Sequence, residues 1–570
     1  MLKPEETLLA APLGLGILSS SIPTVCTSGA TLWALHLFVP SGLSTSGATP
    51  WARHLFVRVL CDLCVKILFF LFIPLWLTAG EPSPQKLNAL YNSLDPKSVA
   101  QHLAFYELYG NTPQGDKALQ HAWSLLSGNE THITARDLPL VTSVIPAVVA
   151  LVNKQPSEEL PDLSDDDIAG INALAARLPN RRLQGHTITS EQELQRLPPN
   201  QIDLARGLFL SQLGEQSIRK IESYEALLDL MALQILARVP MNASPQAKIR
   251  AMNDFIFDEM GFRFPPHSLY AKDIDTYTFL PSVLDSRKGV CLGVSILYLC
   301  LAQRLALPLE IVTPPGHIFV RYRSSDEIIN IETTARGMNL DSDVYLGIET
   351  RSLQKHDIKE VIGMAHFNQA SVFWHNQEYD KALEAYLKAK DFMPNDKLLT
   401  ELMGYTYLFV GNIVEGKRLL NTVKDYLPDD AITKHTIAED YLNGAVDADG
   451  IKAIFQPVDE TRESILDKQK QLMATLEKYP RFRSGWFHLA TTWLQLHRTS
   501  EALKTLERHH ELDDDDPSAE YYLAVLYAQR MDYNKAWKHL RRTEDIVHSR
   551  RHNPKALQDA RRELSRLSPE

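Results

Sequence analysis

The chain has 570 residues, 45% of them hydrophobic and 23% charged, with a formal net charge of -11. That length implies two or three domains with ample apolar material for their cores. The acidic balance excludes a broad phosphate-binding face, so no nucleic-acid partner is expected, and it fits a soluble, self-repelling surface. Of the five cysteines, Cys26, Cys61 and Cys64 precede the body, which holds only Cys291 and Cys300. Those two are too few for a disulfide framework and do not form a CxxC metal pair.

Residues 27–39 recur almost unchanged at 45–57. Two copies are too few for a solenoid, and the repeat reads either as an N-terminal extension or as translated upstream DNA. Lys66 then precedes the apolar run 67–80, which ends in small residues. That is the layout of a secretory signal if translation starts near Val65. Taken back to about residue 55, it has the length of a membrane anchor. Both readings place the body outside the cytoplasmic membrane, in a bacterial periplasm or cell envelope, exported or membrane-anchored. A buried apolar helix would leave the protein cytoplasmic.

The expected organisation is an extension over 1–80, a helical region over 82–240, a core domain over 241–360 and a repeat domain over 361–570. In the helical region Leu87, Leu90, Tyr91 and Leu94 fall at helical spacing, and Asp95-Pro96 signals the next helix start. Ser164 heads an acidic cap, and Ser190 with Glu193 reads as a capping box. Residues 205–213 and 218–239 read as amphipathic helices. This region carries no catalytic pattern and reads as a platform, or alternatively as an interaction surface. Asn129-Glu130-Thr131 matches a glycosylation sequon, a triplet common by chance.

The chemistry concentrates between Arg287 and Glu332. Gly289 allows a sharp turn, and 292–305 is one apolar helix that places Cys291 at its N-terminus. Unpaired amides and the helix dipole favour a thiolate there. Residues 310–312 have strand character, His317 opens the alternating run 318–322, and 328–333 reads as a further strand. Glu332 is then placed to orient the imidazole of His317. Cys300, mid-helix among apolar neighbours, reads as structural. His366 and the pair His509-His510 are expected at the surface. No HxxxH or HExxH pair supports a metal near the centre, and no cofactor motif is present.

A helix-start cysteine, a strand histidine and an acid on the next strand, in that order, resemble the transglutaminase-like, papain-related core. Arg287-Lys288-Gly289, Leu297-Tyr298 with Arg304-Leu305, and Pro315-Gly316-His317 are similar to its bacterial SirB-type branch, over roughly residues 203–340. Many members of that branch lack the cysteine, which this sequence retains. Its acid is Glu332 where Asp is more usual. The resemblance implies that Cys291 attacks an amide carbonyl, His317 shuttles the proton and Glu332 holds the ring. Hydrolysis and transfer to an amine both remain open.

From about Val361 the chain becomes periodic at 34 residues. Units at 363–396, 397–430, 483–516 and 517–550 carry small residues at position 8 (Ala370, Gly404, Ala490, Ala524). Position 20 is again small (Ala382, Gly416, Ala502, Ala536), and position 11 is aromatic (Phe373, Tyr407, Trp493, Tyr527). Small residues let paired helices approach and aromatics fill the groove between them. The pattern resembles the tetratricopeptide repeat, which implies a superhelix holding a protein or peptide on its concave face. Residues 431–480 are expected to hold a divergent unit. Asp513 to Asp516 read as a helix-start charge run without an EF-hand spacing.

The fold class expected is α+β: a helical N-terminal region, a papain/transglutaminase-like α+β core and a C-terminal α-solenoid of tetratricopeptide repeats. Two functions follow as expectations: a thiol-dependent amide hydrolase or acyltransferase, or a non-catalytic interaction scaffold built on the same fold.

Overall fold

The computed structural model describes residues 82–128, 138–153, 163–265, 277–459 and 461–570. The duplicated segment, the apolar run at 67–80 and the Asn129 sequon lie outside these residues. Among the described residues no helix is long and apolar enough to cross a membrane. The architecture is α+β, with a small antiparallel sheet set among helices and a helical solenoid after it.

In the N-terminal region, side-chain caps set most helix starts. Ser83, Ser98 and Thr112 each accept a backbone N–H at the start of Pro84–Asn92, Val99–Tyr109 and Pro113–Ser127. Ser98, rather than Asp95-Pro96, opens the second of these, because its hydroxyl supplies the acceptor that a helix N-terminus lacks. Ser164 and Asp167 form a reciprocal capping box before Asp165–Ala175.

Helix α1 (Leu204–Leu213) and helix α2 (Ile218–Ala237) are buried almost throughout and pack against α3 (Cys291–Arg304). Leu208, Leu228 and Ile296, one from each, are fully buried in one continuous core. Between α2 and α3 one helical stretch has two parts: Pro245–Asn253 is α-helical and Asp254–Glu259 is a π-turn. Gly261 ends it with φ of 71°.

The contact of α1, α2 and α3 carries a buried ion network. Asp203 caps α1 and accepts from Asn180 Nδ2 at 2.9 Å and His186 Nδ1 at 3.0 Å. Arg304 Nε donates to Asp229 Oδ1 at 2.7 Å, Arg181 pairs with the same carboxylate, and Arg206 Nη2 donates to Glu225 Oε2 at 2.7 Å. Arg206 and Arg304, the latter from the family-like Arg304-Leu305 motif, therefore lock the helical platform onto the core.

The sheet has the order β3-β2-β1-β4, from β1 (Leu309–Thr313), β2 (Phe319–Arg323), β3 (Ile328–Ile331) and β4 (Gln354–His356). β2 pairs antiparallel with β1 and β3, with Val320 opposite Ile331 and Arg321 opposite Glu310. Arg321 Nε donates to Glu310 Oε1 at 2.7 Å across that pair.

The repeats show their register in one detail of backbone. Helix pairs Ile358–His375 with Tyr379–Phe392, Lys397–Phe409 with Ile413–Val423, Arg483–Gln495 with Thr499–His510, and Pro517–Gln529 with Tyr533–Ser549 pack as hairpins. Each turn holds a left-handed residue at the same repeat position: Gln377, Gly411, His497 and Met531. In each, the next N–H returns to the aromatic residue's carbonyl: Glu378 to Phe373, Asn412 to Tyr407, Arg498 to Trp493 and Asp532 to Tyr527, at 2.8–3.0 Å. The same turn recurs at Gly444, where Ala445 N donates to Asp440 O at 2.8 Å, inside the divergent stretch. Ala370, Ala382, Ala490, Ala502 and Ala536 are fully buried at the hairpin contacts.

Two surface expectations fail. His366 is buried, its Nε2 paired with the Ser211 hydroxyl and its ring stacked near Phe392. His509 is buried between the Arg483 carbonyl and the Asp516 carboxylate, at 3.0 and 2.8 Å. Both are polar residues that pack inward because hydrogen-bond partners wait there, which helical spacing alone does not reveal. His510 is half-buried and pairs with Glu520. Asp516 acts as expected, capping Pro517–Gln529 through the amides of Ser518 and Ala519.

Candidate active site

The antiparallel register explains how two of the proposed site residues meet. Extending the β2–β3 ladder one step past Val320–Ile331 sets Glu332 opposite Phe319, with His317 two residues along on the same face. Diagonal neighbours on one face lie within reach of long side chains. His317 Nε2 and Glu332 Oε2 are 2.5 Å apart, with the two side chains 14% and 5% exposed.

The carboxylate is saturated with donors. Its Oε1 accepts from the Thr334 amide at 3.2 Å and the Thr334 hydroxyl at 2.5 Å, and its Oε2 also accepts from the Tyr345 hydroxyl at 2.8 Å. Burial opposes ionisation of Glu332, but the His317 charge and these hydrogen bonds outweigh it and hold the carboxyl below its ordinary value. Burial, together with the same carboxylate, pushes the Tyr345 hydroxyl far up, so it stays a donor. Tyr345 also lies over the His317 ring, with centroids 5.8 Å apart and planes inclined by 15°, and stacks on Phe319 at 4.7 Å.

Tyr345 and Thr334 escaped the sequence reading. Thr334, two residues beyond Glu332 at a strand end, carried a weak signal as a local side-chain cap. Tyr345 lies in a short 3-10 turn, Ser342–Tyr345, whose position depends on how the chain folds back.

Cys291 is the first residue of α3 and is fully buried. It is disulfide-bonded. The Thr333 hydroxyl donates to the Cys291 carbonyl at 3.5 Å and lies 3.0 Å from the Ser295 hydroxyl. The start of α3 is thus tied to the residue next to Glu332. Gly289 serves close approach rather than a turn, because an added methyl group would strike Val294; the left-handed residue is Arg287, at φ of 54°. A side chain on Gly293 would meet the Tyr277 carbonyl, so glycine lets that backbone cross beside Cys291. Arg287 is buried and donates to the carbonyls of Met260, at 3.0 Å, and Leu151.

Cys300 is buried and its thiol is pushed up by that burial. The metal-type grouping among the described residues is His186, Asp203 and Glu225, whose ligand atoms lie within 4.8 Å of one another. The guanidinium groups of Arg181, Arg206 and Arg304 already neutralise Asp203 and its neighbours Asp229 and Glu225, so a divalent cation would add uncompensated positive charge.

A family model described as the transglutaminase-like superfamily matches residues 222–361. Two curated relatives are similar to the chain, both described as "UPF0162 protein" from Xylella fastidiosa. The one from strain Temecula1 is 25% identical over 194 residues, covering 32% of this chain and 67% of the relative. The one from strain 9a5c is 24% identical over 179 residues, covering 29% and 63%. The chain thus spans about two thirds of the length of these curated relatives. Among solved structures, MamA 41-end from Desulfovibrio magneticus RS-1 is 14% identical with a TM-score of 0.17, covering 33% of this chain and 96% of that one. TTC0263, a thermophilic TPR protein in Thermus thermophilus, is 17% identical with a TM-score of 0.19, covering 36% and 97%. At those scores the fold of the repeats rests on this chain's own hairpins and their shared turn. Residues 222–361 are a transglutaminase-like domain, followed in the same chain by an array of tetratricopeptide-type helix pairs.

Proposed function

We propose that the protein is a thiol-dependent amide hydrolase or acyltransferase whose repeats bind a protein or peptide. The observation that carries this reading is the buried His317–Glu332 pair at 2.5 Å, saturated by Thr334 and Tyr345. A carboxylate on Nε2 fixes the ring so that Nδ1, on the opposite edge, is the nitrogen that exchanges a proton with the nucleophile. Cys291, as the reduced thiol, attacks the carbonyl carbon; His317 takes the thiol proton and returns it to the departing amine. Amides at the start of α3 receive the developing oxyanion. Water or a second amine then accepts the acyl group from sulfur. Reduction of Cys291 is a precondition of this chemistry, because the nucleophile is the thiolate.

The repeat face supplies affinity for the polypeptide, as stacked helical hairpins do in general. The apolar run at 67–80 supports a place in the cell envelope for the body of the protein.

The test uses p-nitrophenyl acetate as acyl donor with the reduced full chain. Peptide mapping by mass spectrometry is expected to find an acetyl group on Cys291 in the native protein and much less of it in His317→Ala. Absence of the adduct on Cys291 overturns the catalytic reading. A second reading, an interaction scaffold that keeps the core for its fold alone, is favoured by the complete burial of Cys291. It predicts that Cys291 stays unmodified even after reduction.

A further inference from the structure

The chain between β3 and the repeats runs from the His317–Glu332 pair directly onto the repeat domain. Asn330 starts this path: its Nδ2 donates to the Leu340 carbonyl at 2.7 Å and lies 3.0 Å from the Ser342 hydroxyl. Those bonds set the turn that ends in Tyr345, over the His317 ring and bonded to Glu332. Two residues later the Gly347 carbonyl accepts from His552 Nε2 at 2.9 Å, beyond the last repeat hairpin. Ile348 is 5% exposed and belongs to the apolar cluster of the repeats that includes Ile432, Leu506 and Tyr522. Ile432 N donates to the Glu349 carbonyl at 2.9 Å, Thr350 bridges to Ala431, and Arg351 N donates to the Asp430 carbonyl at 2.8 Å.

Residues 345–352 therefore have one end on the candidate site and the other seated on the repeats. We infer that Tyr345 is a positioning residue for His317 and Glu332, and that the repeat domain holds it there through the seat of Gly347 to Arg351. The tyrosine hydroxyl fixes Oε2 of the carboxylate that in turn fixes Nε2 of the imidazole. Its ring caps one face of the imidazole and limits its rotation. In this chain the repeats complete the surroundings of the His317–Glu332 pair through that seat. This inference rests on the proposed function for its catalytic meaning, but its geometry stands without it.

The experiment reads the Nε2–H proton of His317 in the full chain carrying nitrogen-15 histidine, with the resonance assigned by its loss in His317→Gln. A proton held between imidazole and a buried carboxylate is shifted downfield and exchanges slowly. Tyr345→Phe, which keeps the stack and loses the hydrogen bond, is expected to move the resonance and speed its exchange, and Tyr345→Ala to do so further. Ile348→Ala and His552→Gln touch neither ring nor carboxylate, yet are expected to speed the exchange severalfold in the same direction. Ile348→Val provides a milder seat variant whose folding is secured by its similar volume, with a smaller change of the same sign. Unchanged exchange in folded Ile348→Ala and His552→Gln overturns the role of the repeats. Unchanged exchange in Tyr345→Phe and Tyr345→Ala overturns the positioning role itself. Because no turnover is measured, failure of Cys291 to form an acyl adduct sinks only the proposed function and leaves this result standing.

Discussion

A double-mutant cycle on His317 and Glu332 measures whether the pair is the energetic centre of the domain. His317→Asn and Glu332→Gln each remove one charge, and the double variant removes both while keeping similar volume. Two unit charges at 2.5 Å attract by about 7 kcal/mol at an effective dielectric constant near 20. Desolvation of two largely buried groups offsets much of that. Net coupling of about 1.5–4 kcal/mol is expected, in line with close charge pairs elsewhere. The assay is urea unfolding of the four proteins near pH 5.5. The sign with pH is also set. Glu332 is held below its ordinary value in the folded state, so its contribution is present above about pH 4.3, the unfolded carboxyl range. It is lost as pH falls through the depressed folded value. The gap between the native protein and Glu332→Gln should therefore narrow steadily below about pH 4. A coupling under about 0.5 kcal/mol, within the scatter of independent sites, would refute the reasoning.

Three further outcomes follow from the buried charges. Arg304→Met strands Asp229 and Asp203 without one of their cations and should cost about 3–5 kcal/mol in urea unfolding; a cost below about 1 kcal/mol would show the network is not structural. Burial pushes the Glu225 carboxyl up to about 8 against the pull of Arg206, so the folded state holds that proton between about pH 4.5 and 8. Stability should then fall across that window by up to ~1.4 kcal/mol per pH unit, and Glu225→Gln should flatten the slope in chemical denaturation. Burial, with the Lys388 charge, holds the His366 imidazole down to about 4, so the unfolded chain takes up its proton first on acidification. Stability should drop by as much as ~3 kcal/mol between about pH 6.5 and 4. His366→Gln should remove that share, and an unchanged acid profile would contradict the buried neutral ring.

Much of this architecture is legible in the sequence because its signals are local. The 34-residue spacing of small residues is visible since the packed helix pairs bury positions such as Ala370 and Ala382 completely and demand small side chains there. The strand character of 310–312, the alternating run 318–322 and the run 328–333 suffice to place β1, β2 and β3 around His317. What stays hidden depends on long-range return of the chain. Tyr345 reaches Glu332 only because Asn330 ties down residues 340 and 342. Arg304 is a resemblance mark in the sequence, and it and Arg206 become ion-network members only once α1, α2 and α3 meet. His366 and His509 sit on helix faces whose partners, Ser211 and Asp516, are set by tertiary packing. The left-handed turn residues Gln377, His497 and Met531 give no sequence signal, since glycine fills that place only at Gly411 and, in the divergent stretch, at Gly444.

The most direct test of the thiol chemistry is the pH dependence of Cys291 alkylation by iodoacetamide in the reduced full chain, read peptide by peptide with Cys300 as internal reference. Fast modification of Cys291 already at pH 6, lost in His317→Ala, is the result this account predicts. Modification no faster than that of Cys300, or equally fast without His317, would contradict it.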